Sequence, residues 1–407
     1  MGSIRYLTAG ESHGKALVTI VEGLPAGIPI SVEEIQNELG RRRLGFGRGP
    51  RMRFEKDEVT ILGGVRFGRT LGSPVAIEIG NTEWPKWESE MSVGPGSSTK
   101  PLTAPRPGHA DLSGMLKYGF SDARDVLERA SARETAAKVA AGICAKKLLR
   151  YMRIEILSHV VSIGEVVVDP LLDPPWPGDL EAIDSSPVRC FFPDYEEKMV
   201  AAIKAAAKEG DSLGGTVEVI AIGVPVGLGS HVHWDRRIDG LFAQALMGIQ
   251  AVKAVEIGEG FSIGRKRGSL AHDSITWDKE SSNYKRVTDR AGGIEGGITT
   301  GEPIILRATM KPLATLNRPV IGTVDTKTKE ETVSFKERTD VTAVPALGVV
   351  CESAVAIVLA SEALRKFGGD SMAETIGNKD SFISNLDKTP SSAEALSANQ
   401  SNHLEKR

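Results

Sequence analysis

The feature that most constrains this chain is that it repeats itself. Residues 10–27, GESHGKALVTIVEGLPAG, and residues 210–227, GDSLGGTVEVIAIGVPVG, align without a gap. Gly10, Ser12, Gly14, Ile20, Gly23, Pro25 and Gly27 find identical partners there. A second pair follows in the same order: 63–77, GGVRFGRTLGSPVAI, and 292–306, GGIEGGITTGEPIIL, which share Gly63, Gly64, Gly68, Thr70, Gly72 and Pro74. A looser third pair consists of apolar helices at about 132–150 and 345–366. Recurrence in one order predicts two similar halves, about 8–150 and 208–368, in a single unit of 1–368. Between them, at about 160–200, lies an insert whose DPLLDPPWPGD stretch (169–179) reads as loop. VTIVEG and VEVIAIG are short β-branched runs and read as strands. Ser131 and Glu134 predict a capping box ahead of the first long helix, and Gly368-Gly369 predict the end of the second. The polar stretch 373–407 is expected to be a disordered tail.

Composition bounds the function. The chain has 407 residues, 41% apolar and 25% charged, with net charge −3, which predicts a globular protein without an electrostatic bias towards nucleic acid. No uninterrupted apolar run reaches the ~18 residues a membrane span needs, and no signal peptide precedes the first strand. Cys144, Cys190 and Cys351 are widely spaced and form no CxxC pair, so the chain is expected to be cytoplasmic, without a disulfide framework or a thiolate metal site.

Three groups of residues carry chemistry. Residues 41–53, RRRLGFGRGPRMR, hold six arginines and three glycines, a pattern suited to phosphate or carboxylate oxygens. A solvated basic loop or an RNA-binding segment is the bland alternative, disfavoured by the charge balance and by the few aromatic residues nearby. His13 and His109 sit on glycine-bounded turns, GESHG and RPGHAD, where a ring faces solvent or ligand and can exchange a proton near neutrality. Asp111 can orient the second ring. Arg129-Ala130-Ser131 and Arg338-Thr339-Asp340 precede the long helices, where free N–H groups favour anions. His231 and His233 lack a completing carboxylate or thiol, so no metal is expected. Neither a P-loop nor GxGxxG occurs. A histidine phosphatase would need an Arg-His-Gly signature that is missing.

Together GESHG (10–14), RRRLGFGRG (41–49), RPGHAD (106–111), SARET (131–135), AVEIGEGF (254–261), AGGIEGGITTG (291–301) and RTD (338–340) resemble chorismate synthase in family order over about 1–368. The resemblance implies an α/β (α+β) fold, a layered β-α sandwich of antiparallel sheets and helices, assembled as a homotetramer. It implies loss of phosphate and a ring hydrogen from 5-enolpyruvylshikimate 3-phosphate by anti-1,4 elimination, giving chorismate, the last step of the shikimate pathway to aromatic amino acids. It implies a lyase requiring reduced FMN without net redox change; NADPH would be the reductant unless an external flavin reductase serves. By motif, His109 is the acid at the substrate phosphate and His13 the donor near flavin N1. Ser12, Ser131 and Asp340 assist proton relay at N5. Arg42, Arg48, Arg106 and Arg133 bind substrate or NADP. Flavin contacts carry over to Arg129, Ala130, Ser131, Gln250, Ala251, Gly296, Lys311, Pro312, Leu313, Ala314, Thr315 and Arg338. Ala130, Leu313 and Ala314 replace residues with hydroxyls, so side-chain contacts to flavin there are in question, and Gln250 replaces an Asn.

Overall fold

The computed structural model describes residues 4–49, 57–280, 283–318, 320–335 and 340–386. Two antiparallel sheets face each other across a helical layer. The first contains β1 (Arg5–Ala9), β2 (Ala16–Glu22), β3 (Glu58–Gly63) and β4 (Val75–Gly80) in the order β1-β2-β4-β3. The second contains β5 (Glu155–Ile163), β6 (Val166–Val167), β7 (Gly215–Ile222), β8 (Val252–Ile257) and β9 (Ile304–Met310) in the order β8-β9-β7-β5-β6. The expected VTIVEG and VEVIAIG strands are β2 and β7. Alternate residues of β4 and β9 are buried, with Val75, Ile77 and Ile79 on one and Ile304, Leu306 and Ala308 on the other. That is the period-2 pattern of strands with one face in a core.

The helices follow from 3.6-residue periodicity. In chain order they are α1 (Val32–Arg43), α2 (Trp84–Trp87), α3 (Asp111–Tyr118), α4 (Arg124–Ala130), α5 (Thr135–Tyr151), α6 (Leu180–Ser185), α7 (Pro193–Glu209), α8 (Ile238–Met247), α9 (Val344–Phe367) and α10 (Met372–Ser384). Helix α5 packs on β2, α9 packs on β5 and β7, and the two helices pack on each other. Their approach depends on Gly142. A Cβ there would lie 2.3 Å from the Ser353 Cβ and 2.7 Å from its Cα, too close without moving backbone. Gly142→Ala is therefore expected to lower stability by about 1–3 kcal/mol, read as a fall in the denaturant midpoint. An unchanged midpoint would show that the helices shift freely.

Thr70 and Thr299, aligned by the second repeat, make the same bonds. The Ile28 amide donates to Thr70 Oγ1 (2.9 Å), which donates to the Pro25 carbonyl (2.7 Å). The Leu228 amide donates to Thr299 Oγ1 (2.8 Å), which donates to the Pro225 carbonyl (2.7 Å).

Several expectations need correction. The Ser131–Glu134 capping box does not form: a 3-10 turn, Ala132–Glu134, intervenes before α5, and Ser131 Oγ accepts from the Arg133 amide (3.3 Å) instead. Glu134 is drawn to Thr8 Oγ1 (2.8 Å) and Gln250 Nε2 (3.0 Å). Asp340 does not cap α9, which begins four residues later beside Thr342, whose hydroxyl accepts from the Val344 amide (3.3 Å). The tail is helical over α10, where Ser371 Oγ accepts from the Glu374 amide (3.3 Å); residues 387–407 lie outside those described. The 169–179 stretch is loop as expected, closing in a 3-10 turn (Pro177–Asp179), while the rest of the insert is ordered: β5 reaches into it and pairs with β7 in the middle of the second sheet, and α6 and α7 follow. Finally, α9 is by length and composition apolar enough to cross a bilayer, despite Glu352. It is a core helix, with 83% of its most apolar window buried.

Candidate active site

The GESHG turn joins β1 to β2. Gly10 has φ +101°, and a Cβ there would lie 2.3 Å from the Ala16 carbonyl oxygen. Only glycine fits so tight a return of the backbone. The turn is held against α4: the Ser12 amide donates to the Glu128 carbonyl (2.9 Å), and the His13 amide to Glu128 Oε2 (2.8 Å). The imidazole Nδ1 of His13 lies 2.9 Å from Glu128 Oε1. Arg124 donates to the same oxygen (2.9 Å). Trp87 covers the ring, with centroids 4.2 Å apart, and the Arg124 guanidinium lies 4.8 Å from a Trp87 ring centroid. Burial alone raises the Glu128 pKa, but the contacts with His13 and Arg124 outweigh it and hold the carboxyl below its ordinary value.

Ser131 Oγ donates to Ser12 Oγ (3.2 Å), so the two proposed relay hydroxyls are neighbours. Behind them Arg133 donates to Asn81 Oδ1 (3.1 Å) and pairs with Asp57, while Asn81 Nδ2 donates to the Gly14 carbonyl (2.7 Å). Arg42 is 3% exposed; it donates to Thr135 Oγ1 (2.9 Å) and the Ala132 carbonyl (3.0 Å), bracing the turn that carries Ser131. Arg129 was placed by its sequence at a helix start. It lies instead in the last turn of α4 and donates to the carbonyls of Thr8 (2.9 Å) and Gly10 (3.1 Å).

The second imidazole is held in the same manner. His109 Nδ1 lies 2.5 Å from Asp111 Oδ1. Arg106 donates to Asp111 Oδ2 (2.8 Å) and to Thr315 Oγ1 (2.9 Å), and approaches His109 Nδ1 (3.2 Å). Asp111 is wholly buried, which disfavours its charge, yet the bonds from His109 and Arg106 keep its carboxyl well below the usual range. The 311–315 segment flanks this turn: Lys311 Nζ donates to the Gly108 carbonyl, and a Cβ on Gly108 would touch Ala314. The Lys311 amide donates to the Ala251 carbonyl (3.0 Å). Gln250 reaches Glu134, which follows Ser131. Thus His109, 311–315, 250–251, Ser131, Ser12 and His13 form one chain of contacts.

The arginine segment divides. Arg41 turns inward and binds Glu352 (2.7 Å), Glu38 (3.0 Å) and Asp184 (2.6 Å). Arg48 pairs with Asp340 (3.2 Å), whose Oδ1 accepts from the Gly49 amide (2.6 Å). Arg43, Arg48, Phe46 and Lys204 line an open depression of about 400 Å³ between this segment and α7. Neither histidine lines it. Arg51 and Arg53, like Arg338, lie outside the described residues.

Gly296 is not brought to this cluster. It forms, with Gly297, the turn of a hairpin packed on Ser230 and Arg237. That hairpin follows Gly292, which meets Gly258 beyond the far end of β8 from Ala251. A six-residue strand is about 20 Å long. Sequence reasoning missed Glu128, Trp87, Arg124, Asn81 and Asp57. The i,i+4 spacing of Arg124 and Glu128 was the one available signal.

Gln250 Oε1 is buried without a hydrogen-bond partner. This unsatisfied acceptor fits a ring N–H of a flavin, and the 311–315 segment, whose Lys311 amide bonds the Ala251 carbonyl, carries donors of the kind that flavin carbonyls need. Among the described residues no group of three or more His, Cys, Asp or Glu side chains could hold a metal ion.

Comparison with known proteins agrees with this geometry. The family profile described as Chorismate synthase matches residues 4–364. A chorismate synthase of Salinispora tropica is 56% identical over 392 residues, 94% of this chain and 99% of the relative. One from Mycolicibacterium smegmatis is 56% identical over 404 residues, 97% and 100% of the two chains. A solved structure titled Crystal Structure of Chorismate Synthase superposes with a TM-score of 0.77 at 43% identity, covering 95% of this chain and 99% of that one.

Proposed function

The chain belongs to the chorismate synthase family, and from that premise we propose that it converts 5-enolpyruvylshikimate 3-phosphate to chorismate by anti-1,4 elimination. The C–O bond breaks with its electron pair leaving on phosphate, a ring C–H gives up its proton to the relay, and the electron pair of that bond, moving through the ring double bond, completes the new diene. The observation that carries the assignment of roles is that both imidazoles are anchored through Nδ1 to buried, ionised carboxylates in one chain of contacts.

His109 holds a proton for the departing phosphate, its ring oriented by Asp111. His13 holds one for N1 of the flavin, and the adjoining Ser12 and Ser131 hydroxyls assist at N5. Asp340 pairs with Arg48, and by the resemblance it would assist the same relay. A reduced flavin is the family's general requirement; reduced FMN, when bound, supplies electron density to C–O cleavage and recovers it within the turnover. Gln250, Ala251 and the 311–315 segment would hold that ring, with Arg129 and Ala130 at its margin; the resemblance adds Arg338, which lies outside the described residues. Gly296 stands apart from them in the single chain. Arg42, Arg106 and Arg133 are 3–7% exposed and already bonded within the protein, so they shape and charge the site; Arg48, although paired with Asp340, lines the open depression and is the arginine we assign to the substrate. The repeated Thr70 and Thr299 bonds support one catalytic unit built of two similar halves. We assign the assembly as a cytoplasmic homotetramer that receives reduced flavin from an external reductase.

Photoreduced FMN and substrate under anaerobic conditions test this reading: chorismate absorbance and phosphate should rise together, and NADPH as the only reductant should not support turnover. Phosphate release without flavin would contradict it. Arg48→Ala should raise KM for the substrate about tenfold or more, the loss of one charge-assisted pair, with little change in melting temperature. Unchanged KM and kcat would remove Arg48 from the site.

A further inference from the structure

We propose that Glu128 is the positioning residue for His13: it fixes the Nδ1–H of the ring, so that Nε2 is the atom exchanging the proton. The inference rests on the reading of His13 as the proton donor.

The carboxylate grips the turn twice. Oε2 accepts the His13 amide at 2.8 Å, and Oε1 faces Nδ1 at 2.9 Å. Its side chain is 2% exposed, against 16% for the imidazole, so the pair is screened from water on the carboxylate side. A carboxylate accepts and cannot donate when ionised; facing Nδ1, it selects the tautomer that carries the hydrogen there. Arg124 keeps Glu128 charged from the next turn of α4 (2.9 Å). Among the described contacts, the charged groups against the ring are Glu128 and Arg124, both from α4, while α2 contributes the neutral indole of Trp87. The indole lies against both the imidazole and the guanidinium, which lowers the local polarity and strengthens each bond beneath it. Asp111 does the same for His109, with Arg106 in the part of Arg124. Both proton-handling turns therefore share an arginine–carboxylate–imidazole order, although Glu128 lies 115 residues from its histidine and Asp111 only two.

The test uses the full chain with 15N-labelled histidine. In the wild-type protein His13 should give a downfield, slowly exchanging Nδ1–H resonance, assigned by its loss in His13→Gln. Glu128→Gln should remove that resonance and lower kcat by about ten- to hundredfold, a part of the ~10²–10⁴ that a positioned general acid contributes. Glu128→Asp should restore part of each. A wild-type His13 unprotonated at Nδ1 would overturn the proposal without any variant being needed. So would a folded Glu128→Gln protein with an unaltered resonance and unaltered kcat. If His13→Gln itself keeps full activity, the donor reading fails, and the resonance still decides whether Glu128 positions the ring.

Discussion

His109→Ala should lower kcat by about 10²–10⁴, the range for loss of a positioned general acid, while FMN affinity stays near normal. The geometry separates the two effects. The ring is only partly buried, and the groups that hold its turn survive its removal: Arg106 still pairs with Asp111 at 2.8 Å and still donates to Thr315 at 2.9 Å. Asp111, wholly buried, therefore keeps a cationic partner and does not become an uncompensated charge. Lys311 reaches the Gly108 carbonyl rather than the imidazole, so the 311–315 segment should keep its place. Steady-state kinetics and a flavin titration of the same variant check this. Parallel loss of flavin binding would show that the imidazole holds the turn together instead.

Glu352→Ala should destabilise the protein by about 3–5 kcal/mol, the cost of breaking a buried ion pair. Glu352 is fully buried in α9 and accepts from Arg41 (2.7 and 3.0 Å), Lys146 (2.6 Å), Ser158 (2.6 Å) and Arg189 (3.3 Å). These partners come from α1, α5, β5 and the loop before α7, so one carboxylate ties together both sides of the helical layer. Burial opposes its charge, and the attraction of Arg41 and Lys146 overcomes that, lowering its pKa well below the ordinary value. Burial also pushes Arg189 down to about 10. Alanine would leave those cations with Glu38 and Asp184 alone. Because the folded pKa is depressed, the stabilisation is present above the unfolded carboxylate value near 4.3 and is lost as pH falls through the folded one. The gap between wild type and variant should thus be full at neutral pH and narrow under strong acid. Denaturant midpoints at several pH values check both size and sign; a gap below 1 kcal/mol at pH 7 would show the network to be dispensable.

Much of the fold was legible because its signals are local. Alternation in β4 and β9, the Ala-rich stretch of α5 and the Gly368 stop all act over a few residues. The repeat was legible because a turn that needs glycine and proline leaves few substitutes. What escaped the sequence was decided at long range. Arg41 and Arg48 read alike in one basic stretch, yet Arg41 is claimed by Glu352, 311 residues away, and Arg48 by Asp340. Glu128 looks like any surface acid on an amphipathic turn until the GESHG loop lands on it. The capping box at Ser131 failed because Glu134 found Thr8 and Gln250. α10 was hidden because its Ser371–Glu374 start is followed by so polar a stretch that the whole segment resembled disorder.

The central claim is that His13 and His109 serve one reaction on one flavin and one substrate. The crystal structure of the chain with FMN and 5-enolpyruvylshikimate 3-phosphate tests it most directly. The account predicts the His109 ring at the substrate phosphate, the His13 ring at flavin N1, and Arg48 on a substrate oxyanion, each within hydrogen-bonding distance. Ligands bound with either imidazole turned away from them would contradict it.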